Sequence, residues 1–263
     1  MQIVLCRDAE EAAELVAARI LCRLREKPEL VLGLATGSTP LGVYRRLREA
    51  CQRGEVSFAR VHTFNLDEYL DLPADHPQSY RTFMRQHLFE GIDIPPDQVY
   101  FPPSEGNDLR ARCAAFERRI AELGGIDVQL LGMGRNGHIG FNEPTSSLAS
   151  RTRVKTLTDK TLRDNARFYG PDETQPVLAV TMGIGTIMEA REILLQAYGS
   201  AKAEAVREAV EGPVSSYFPA SALQLHPRVG AYLDPDAASL LGMRDYYGRA
   251  RALQQQLEAD GRL

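Results

Sequence analysis

Short continuous apolar runs alternate with amphipathic stretches along almost the whole chain. Ala12, Leu15, Val16, Ile20 and Leu24 recur at helical spacing, and Asp8 with Glu11 is arranged as a capping box, which predicts a helix over residues 8–24 behind a short opening strand. Residues 30–35 (Leu-Val-Leu-Gly-Leu-Ala) form an unbroken apolar run, as expected of a strand buried on both faces. The run stops at Thr36-Gly37-Ser38-Thr39, and Pro40 stands where a first helical residue belongs, so strand, tight loop and helix follow one another. That helix runs through Leu41, Tyr44, Leu47 and Cys51 to a stop at Gly54. Further strands are predicted at 61–66, 99–101, 126–131, 177–181, 193–197 and 229–233. Helices are predicted near 79–89, through Leu109, Cys113, Phe116, Ile120 and Leu123 up to Gly124-Gly125, over 201–210, and over 237–257.

This alternation predicts an α/β fold: three layers, with a mostly parallel, Rossmann-like sheet carrying helices on both faces. No repeat, low-complexity tract or Pro/Gly-rich linker divides residues 1–263, so a single domain is expected. Residues 158–176 are polar, lack a strand signal and read as a mobile lid. In open α/β sheets ligands bind beyond the carboxyl ends of the strands, so the chemistry is sought where the apolar runs stop.

Composition narrows the partners. Lys and Arg total 31 against 35 Asp and Glu, a net charge of −4, so no broad basic field is available for nucleic acid or anionic lipid. The longest apolar runs fall well short of the roughly 20 residues of a membrane helix, and the acidic start (Asp8, Glu10, Glu11, Glu14) is not that of a signal peptide. The 4 cysteines include no C-x-x-C pair and no zinc-knuckle spacing, which fits a reducing, cytoplasmic setting.

Three strand ends carry chemistry. Thr36-Gly37-Ser38-Thr39-Pro40 offers hydroxyls, a flexible glycine and free amides at the positive end of a helix dipole, suited to a phosphate and equally to simple helix capping. It lacks the Walker A lysine, so the phosphate would belong to a small metabolite. Asn65-Leu66-Asp67-Glu68-Tyr69 sets two adjacent carboxylates at a strand end, either a general base facing the crevice or a solvated turn. Gly132-Met133-Gly134-Arg135-Asn136-Gly137 matches G-x-G-x-x-G, but Pro144 and the absence of helical periodicity after it exclude a dinucleotide-binding helix. His138 and Glu143 flank this loop as an imidazole with a carboxylate to orient it, while Arg167 and Lys202 supply positive charge. The five histidines show no metal-ligand spacing, so neither metal nor cofactor is expected. A phosphate loop, a base and a histidine–carboxylate pair suit proton transfer on a phosphorylated sugar.

The segments at 34–40, 64–69, 137–144 and 150–156, with Leu223-Gln224-Leu225-His226-Pro227, closely resemble glucosamine-6-phosphate deaminases over essentially the whole chain. The resemblance implies a sugar-phosphate isomerase type of fold and a cofactor-free conversion of glucosamine 6-phosphate and water to fructose 6-phosphate and ammonium, in amino-sugar catabolism. Carried over by position, Asp67 is the base that moves a proton between C2 and C1. His138 is the ring-opening acid/base and Glu143 its relay carboxylate, while Gly37, Ser38, Thr39, Arg167 and Lys202 hold the phosphate. The relay position that many members fill with aspartate is Asn136 here, which predicts an acid limb of the pH–rate profile lying lower than with Asp. Some members are hexamers activated by N-acetylglucosamine 6-phosphate, and the matching Met1, Ser147, Arg153 and Lys155 are present, so a homo-oligomer with an activator site is expected. The alternatives are a galactosamine-6-phosphate deaminase, a 6-phosphogluconolactonase and a non-catalytic sugar-phosphate sensor.

Overall fold

A computed structural model describes residues 1–166, 169–170 and 173–262. In chain order its elements are β1 (Gln2–Leu5), α1 (Ala9–Glu26), β2 (Val31–Leu34), α2 (Leu41–Gln52), β3 (His62–Asn65), β4 (Asp67–Tyr69), α3 (Tyr80–His87), β5 (Val99–Tyr100) and α4 (Leu109–Glu122). There follow β6 (Val128–Gly132), β7 (Arg153–Thr156), α5 (Asp159–Asn165), β8 (Leu178–Thr181), α6 (Ile184–Met188), β9 (Glu192–Ala197), α7 (Ala203–Val210), β10 (Val229–Leu233) and α8 (Arg244–Ala259).

Seven strands form one parallel sheet in the order β1-β10-β9-β6-β2-β3-β5. The apolar runs are continuous because alternate residues enter two different cores. Leu32, Leu34, Leu130 and Leu194 join Val16 and Ile20 of α1 and Val43 and Leu47 of α2 on one face. Val31, Phe64, Leu131, Ile193 and Leu195 join Phe116 of α4, Ile187 of α6 and Val206 of α7 on the other. The predicted three-layer α/β architecture is the one observed.

The strand expected at 177–181 belongs elsewhere. It starts at Leu178 and lies between β4 and β7 in a separate antiparallel sheet of order β4-β8-β7. Polar β4 and β7 do not give the apolar signature of a doubly buried strand, which is why neither is visible from hydrophobicity. This small sheet is tied to the main one where β3 ends: the Met182 N–H donates to the Leu66 carbonyl at 2.6 Å, and the Leu66 N–H donates to that of Leu34 at 3.0 Å.

Element ends follow local chemistry. The Asp8 side chain accepts from the Glu11 N–H at 2.8 Å, capping α1, but the Glu11 carboxylate returns to the Arg7 N–H instead of closing the box on Asp8. Pro40 is the N-cap of α2 and not its first residue. The last helix begins at Arg244, later than the expected 237, because Asp234 binds the Ala237 N–H and Glu211 binds the Gly242 and Met243 amides, holding the intervening residues in turns. Residues 200–202 form a 3₁₀ turn before α7, so that helix also starts later than expected.

Phe64 is completely buried at the centre of one core, stacked on Tyr100 at 4.7 Å between ring centroids and edge-on to Phe116 at 5.4 Å. Replacing it with alanine is expected to cost about 3–5 kcal/mol and to lower Tm by roughly 6 °C or more, measured by thermal unfolding at constant pH.

Candidate active site

Strand order reverses between β2 and β6: β3 and β5 extend from β2 on one side, and β9, β10 and β1 extend from β6 on the other. The loops leaving these two strands therefore diverge and open a crevice at their carboxyl ends. A cavity of ≈ 590 Å³ fills it, lined by the 36–39 loop, Asp67, Gly134, His138 and Lys202 among others. It is within the size range of small-molecule sites.

Asp67 and Glu68 alternate sides of β4, and their fates differ. The Asp67 side chain faces the cavity from a buried position. Burial pushes its carboxyl up to about 8, with the neighbouring charge of Glu68 acting in the same direction. Glu68 turns away and accepts three backbone N–H bonds, from Tyr69 at 2.9 Å and from Tyr80 and Arg81 at 3.0 Å each. It thus caps the first turn of α3, where the helix dipole favours a negative charge. Of the two carboxylates that open the strand, one faces the cavity and the other is structural.

Gly140 and Gly134 make the approach geometry attainable. Gly140 has φ of +55°, and a Cβ there would come within 2.9 Å of Thr181 Oγ1 and 3.3 Å of Asp67 Oδ2. A Cβ on Gly134 would lie 2.2–2.5 Å from atoms of the His138 ring, so the imidazole rests directly against the Gly134 backbone. The second glycine of G-x-G-x-x-G therefore serves the histidine and no nucleotide. The loop is closed by the Gly134 N–H donating to the His138 carbonyl at 2.9 Å.

His138 Nδ1 lies 3.5 Å from Glu143 Oε2, and Glu143 is almost wholly buried. The same carboxylate oxygen accepts from Asn136 Nδ2 at 2.7 Å, and the Thr161 hydroxyl donates to the other. Burial opposes the charge of Glu143, but hydrogen bonding and the nearby imidazole, with Thr161 and Asn136, hold its pKa down to about 2. Asn136 does not bond the imidazole. Its amide donates to Glu143, and its carbonyl oxygen accepts from the His138 backbone N–H at 3.3 Å. Asn142, in the same loop, donates to the carbonyls of Ile139 and Met182 and accepts from Arg153 Nη1 at 2.9 Å.

At the other end of the cavity, Gly37 has φ of +95°, and the N-terminus of α2 carries no side-chain cap, although three hydroxyl residues precede it. Those hydroxyls are not spent on capping, which favours an anion over the capping alternative. Lys202 lines the cavity with Ser38 and Thr39. Arg167, expected to join them, lies outside the described residues. Arg153 and Lys155 share one half-buried side of β7, with the exposed Ser147 in the preceding loop. Met1 precedes β1, at an outer edge of the main sheet and five strand positions from β3, about 24 Å at the usual strand spacing. His226 is structural: its buried Nε2 bonds the Ala190 carbonyl at 2.7 Å.

The sequence reading did not single out Thr161, Asn165, Tyr69 or Tyr80, all of which line the cavity. Asn165 donates to the Tyr69 hydroxyl at 3.0 Å, and Tyr69, Tyr80 and Phe141 pack their rings together beside Asp67. The period-2 spacing of Asp67 and Tyr69 was a usable signal once β4 is read as a strand. No comparable signal marks α5.

Known proteins agree with this architecture. A family model described as glucosamine-6-phosphate isomerases/6-phosphogluconolactonase matches residues 7–231. A glucosamine-6-phosphate deaminase of Hahella chejuensis is 54% identical over 247 residues, 94% of each chain. One of Shewanella loihica is 54% identical over 259 residues, 98% of this chain and 97% of its own. A monomeric glucosamine-6-phosphate deaminase of solved structure superposes with a TM-score of 0.88 at 46% identity, covering 91% of this chain and 100% of that one. The fold is shared more distantly with 6-phosphogluconolactonase from Trypanosoma cruzi, at a TM-score of 0.72 and 24% identity over 92% of this chain and 97% of that one. The chain belongs to the glucosamine-6-phosphate isomerase/6-phosphogluconolactonase family.

Proposed function

We propose that this chain is a glucosamine-6-phosphate deaminase, forming fructose 6-phosphate and ammonium from glucosamine 6-phosphate and water. The observation that carries the reading is that one cavity holds a buried, high-pKa Asp67, the His138–Glu143 pair and an uncapped helix N-terminus. The high identity to deaminases over nearly full length supports it.

The 36–39 loop and Lys202, with Arg167, clamp the phosphate, and this remote binding energy holds the reacting carbons in register. His138 passes a proton to the ring oxygen and removes one from the anomeric hydroxyl, opening the sugar, while ionised Glu143 stabilises the imidazolium that alternates with neutral imidazole. Asp67 then removes the proton from C2 while the C1 carbonyl oxygen takes a proton from the substrate's ammonium group, giving an enolamine, and Asp67 returns its proton to C1. The resulting imine at C2 adds water and releases ammonium, leaving the ketose. A carboxyl titrating near 8 is a strong base once ionised, and the substrate's ammonium group favours that ionised form on binding.

In this reading the described part of the lid expected at 158–176 is α5 and its flanks, while residues 167–168 and 171–172 lie outside the described residues. The support for a lid is that α5 reaches the site through Thr161 to Glu143 and Asn165 to Tyr69. N-acetylglucosamine 6-phosphate would bind at Ser147, Arg153 and Lys155, and the Arg153–Asn142 bond gives that site a contact with the His138 loop. Met1 lies at an outer edge of the main sheet, and in this reading its amino group would complete the site from a second subunit. The cytoplasm is the proposed location, supported by the cysteine pattern.

Asp67→Asn is expected to lower fructose 6-phosphate and ammonium release together by about 10²–10⁴-fold, as loss of a general base does, while sugar-phosphate binding persists. Matched release by the variant at the wild-type rate would refute the role. Because the folded Asp67 pKa lies above its unfolded value, ionisation destabilises the wild type increasingly as pH rises from about 4 to 8. The Tm advantage of Asp67→Asn should therefore grow over that window. Asn136→Asp sets a second carboxylate against Glu143 and favours imidazolium, so the acid limb of kcat/KM should move to higher pH; limbs that stay in place would contradict the relay. N-acetylglucosamine 6-phosphate should raise the rate at sub-saturating substrate in the wild type, and not in Arg153→Gln.

A further inference from the structure

Away from the active-site cavity, a second cleft of ≈ 390 Å³ opens beside β5, the outer strand of the main sheet. Three arginines reach it from two elements: Arg81 from α3, and Arg112 and Arg119, two turns apart, from α4. No carboxylate lines it, and its floor is aromatic and apolar, with Tyr100, Phe101 and Phe116. In a chain of net charge −4, three cations gathered without a lining acid are a local inversion of the overall field.

Two of the guanidiniums are held in place by rings. Arg81 Cζ sits 4.7 Å from the centroid of Phe101, and Arg119 Cζ sits 5.3 Å from that of Tyr100, with Arg119 also donating to the Tyr100 hydroxyl at 2.9 and 3.2 Å. Stacking fixes the plane of a guanidinium while leaving edge N–H groups to reach an oxyanion, which lowers the entropy lost when a ligand is bound. Arg119 is partly committed to Glu122 at 3.3 Å, and Arg112 donates to the Glu105 carbonyl. The charge of Arg81 is felt by Glu68.

The outer position of β5 also raises strand addition by a peptide as an occupant. That mode is disfavoured, because β5 is only 2 residues long and Phe101 is followed by Pro102 and Pro103, which lack N–H donors. A ligand that instead matches three convergent forks over an apolar floor is a compact phosphorylated metabolite.

We propose that the Arg81–Arg112–Arg119 cleft is a second anion site, taking a small phosphate ester or diphosphate and separate from the catalytic cavity. The site is not isolated from the first. The backbone N–H of Arg81 is one of the three that hold Glu68, the neighbour of Asp67, so an anion drawn onto Arg81 acts on the first turn of α3 and on that carboxylate.

The test is calorimetric titration of the full chain with inorganic pyrophosphate, which needs no turnover and so stands whether or not the deaminase reading does. The wild type is expected to bind one equivalent at this cleft, besides those taken by the catalytic cavity and the Ser147–Arg153–Lys155 site. Arg112→Gln and Arg119→Gln should each weaken that one equivalent at least fivefold and leave the others unchanged, with unaltered thermal unfolding showing that the variants are folded. Arg112 is exposed, so its replacement carries little folding cost. Pyrophosphate binding that is weakened less than fivefold in either variant would overturn the proposal.

Discussion

The capture of Glu68 by three backbone amides is the constraint on which the site depends. It ties β4 to the start of α3, alongside the Ser79 cap, and leaves Asp67, one residue earlier and on the opposite side of the strand, as the carboxylate that faces the cavity. Charge-assisted bonds of this kind are each worth about 1.5–3 kcal/mol, and they oppose the burial that raises the pKa of Glu68. Among the described residues Asp67 has no comparable donors, and the charge of Glu68 adds to its penalty of burial. Two adjacent residues of the same chemistry thus acquire different tasks from their hydrogen-bond partners alone.

The histidine loop is organised by the same logic with the opposite sign. Glu143 is buried, yet donors from Asn136 and Thr161 and the adjacent imidazole keep it charged. One carboxylate is set high to accept a proton near neutral pH and the other low to remain an anion beside His138. Pairs of titratable groups driven apart in this way mark acid–base machinery. Both depend on positions where a side chain would intrude, Gly134 beneath the imidazole and Gly140 beside Asp67.

Much of this was legible in the sequence, for identifiable reasons. The doubly buried strands announce themselves as apolar runs, and the loops that end β2 and β6 hold the residues expected to line the site. The small antiparallel sheet was not legible, because β4 and β7 are polar and their pairing with β8 is a long-range event that no local pattern records. The resemblance pointed to Asp67, but local pattern alone could not tell it from Glu68, since two of the three partners of Glu68 lie on α3, more than ten residues away. The role of Asn136 also needed coordinates: its amide supports Glu143 and does not bond the imidazole. Thr161 and Asn165 sit in a polar stretch with no periodic signature, and only packing against the Tyr69–Phe141 cluster reveals them.

The central claim is that Asp67 is a buried carboxyl with a strongly raised proton affinity. The most direct measurement is a pH titration of its side-chain ¹³C carboxyl resonance in the ligand-free protein, assigned by its loss in Asp67→Asn. The account predicts a midpoint near 8. A midpoint below about 5, in the ordinary carboxylate range, would contradict it.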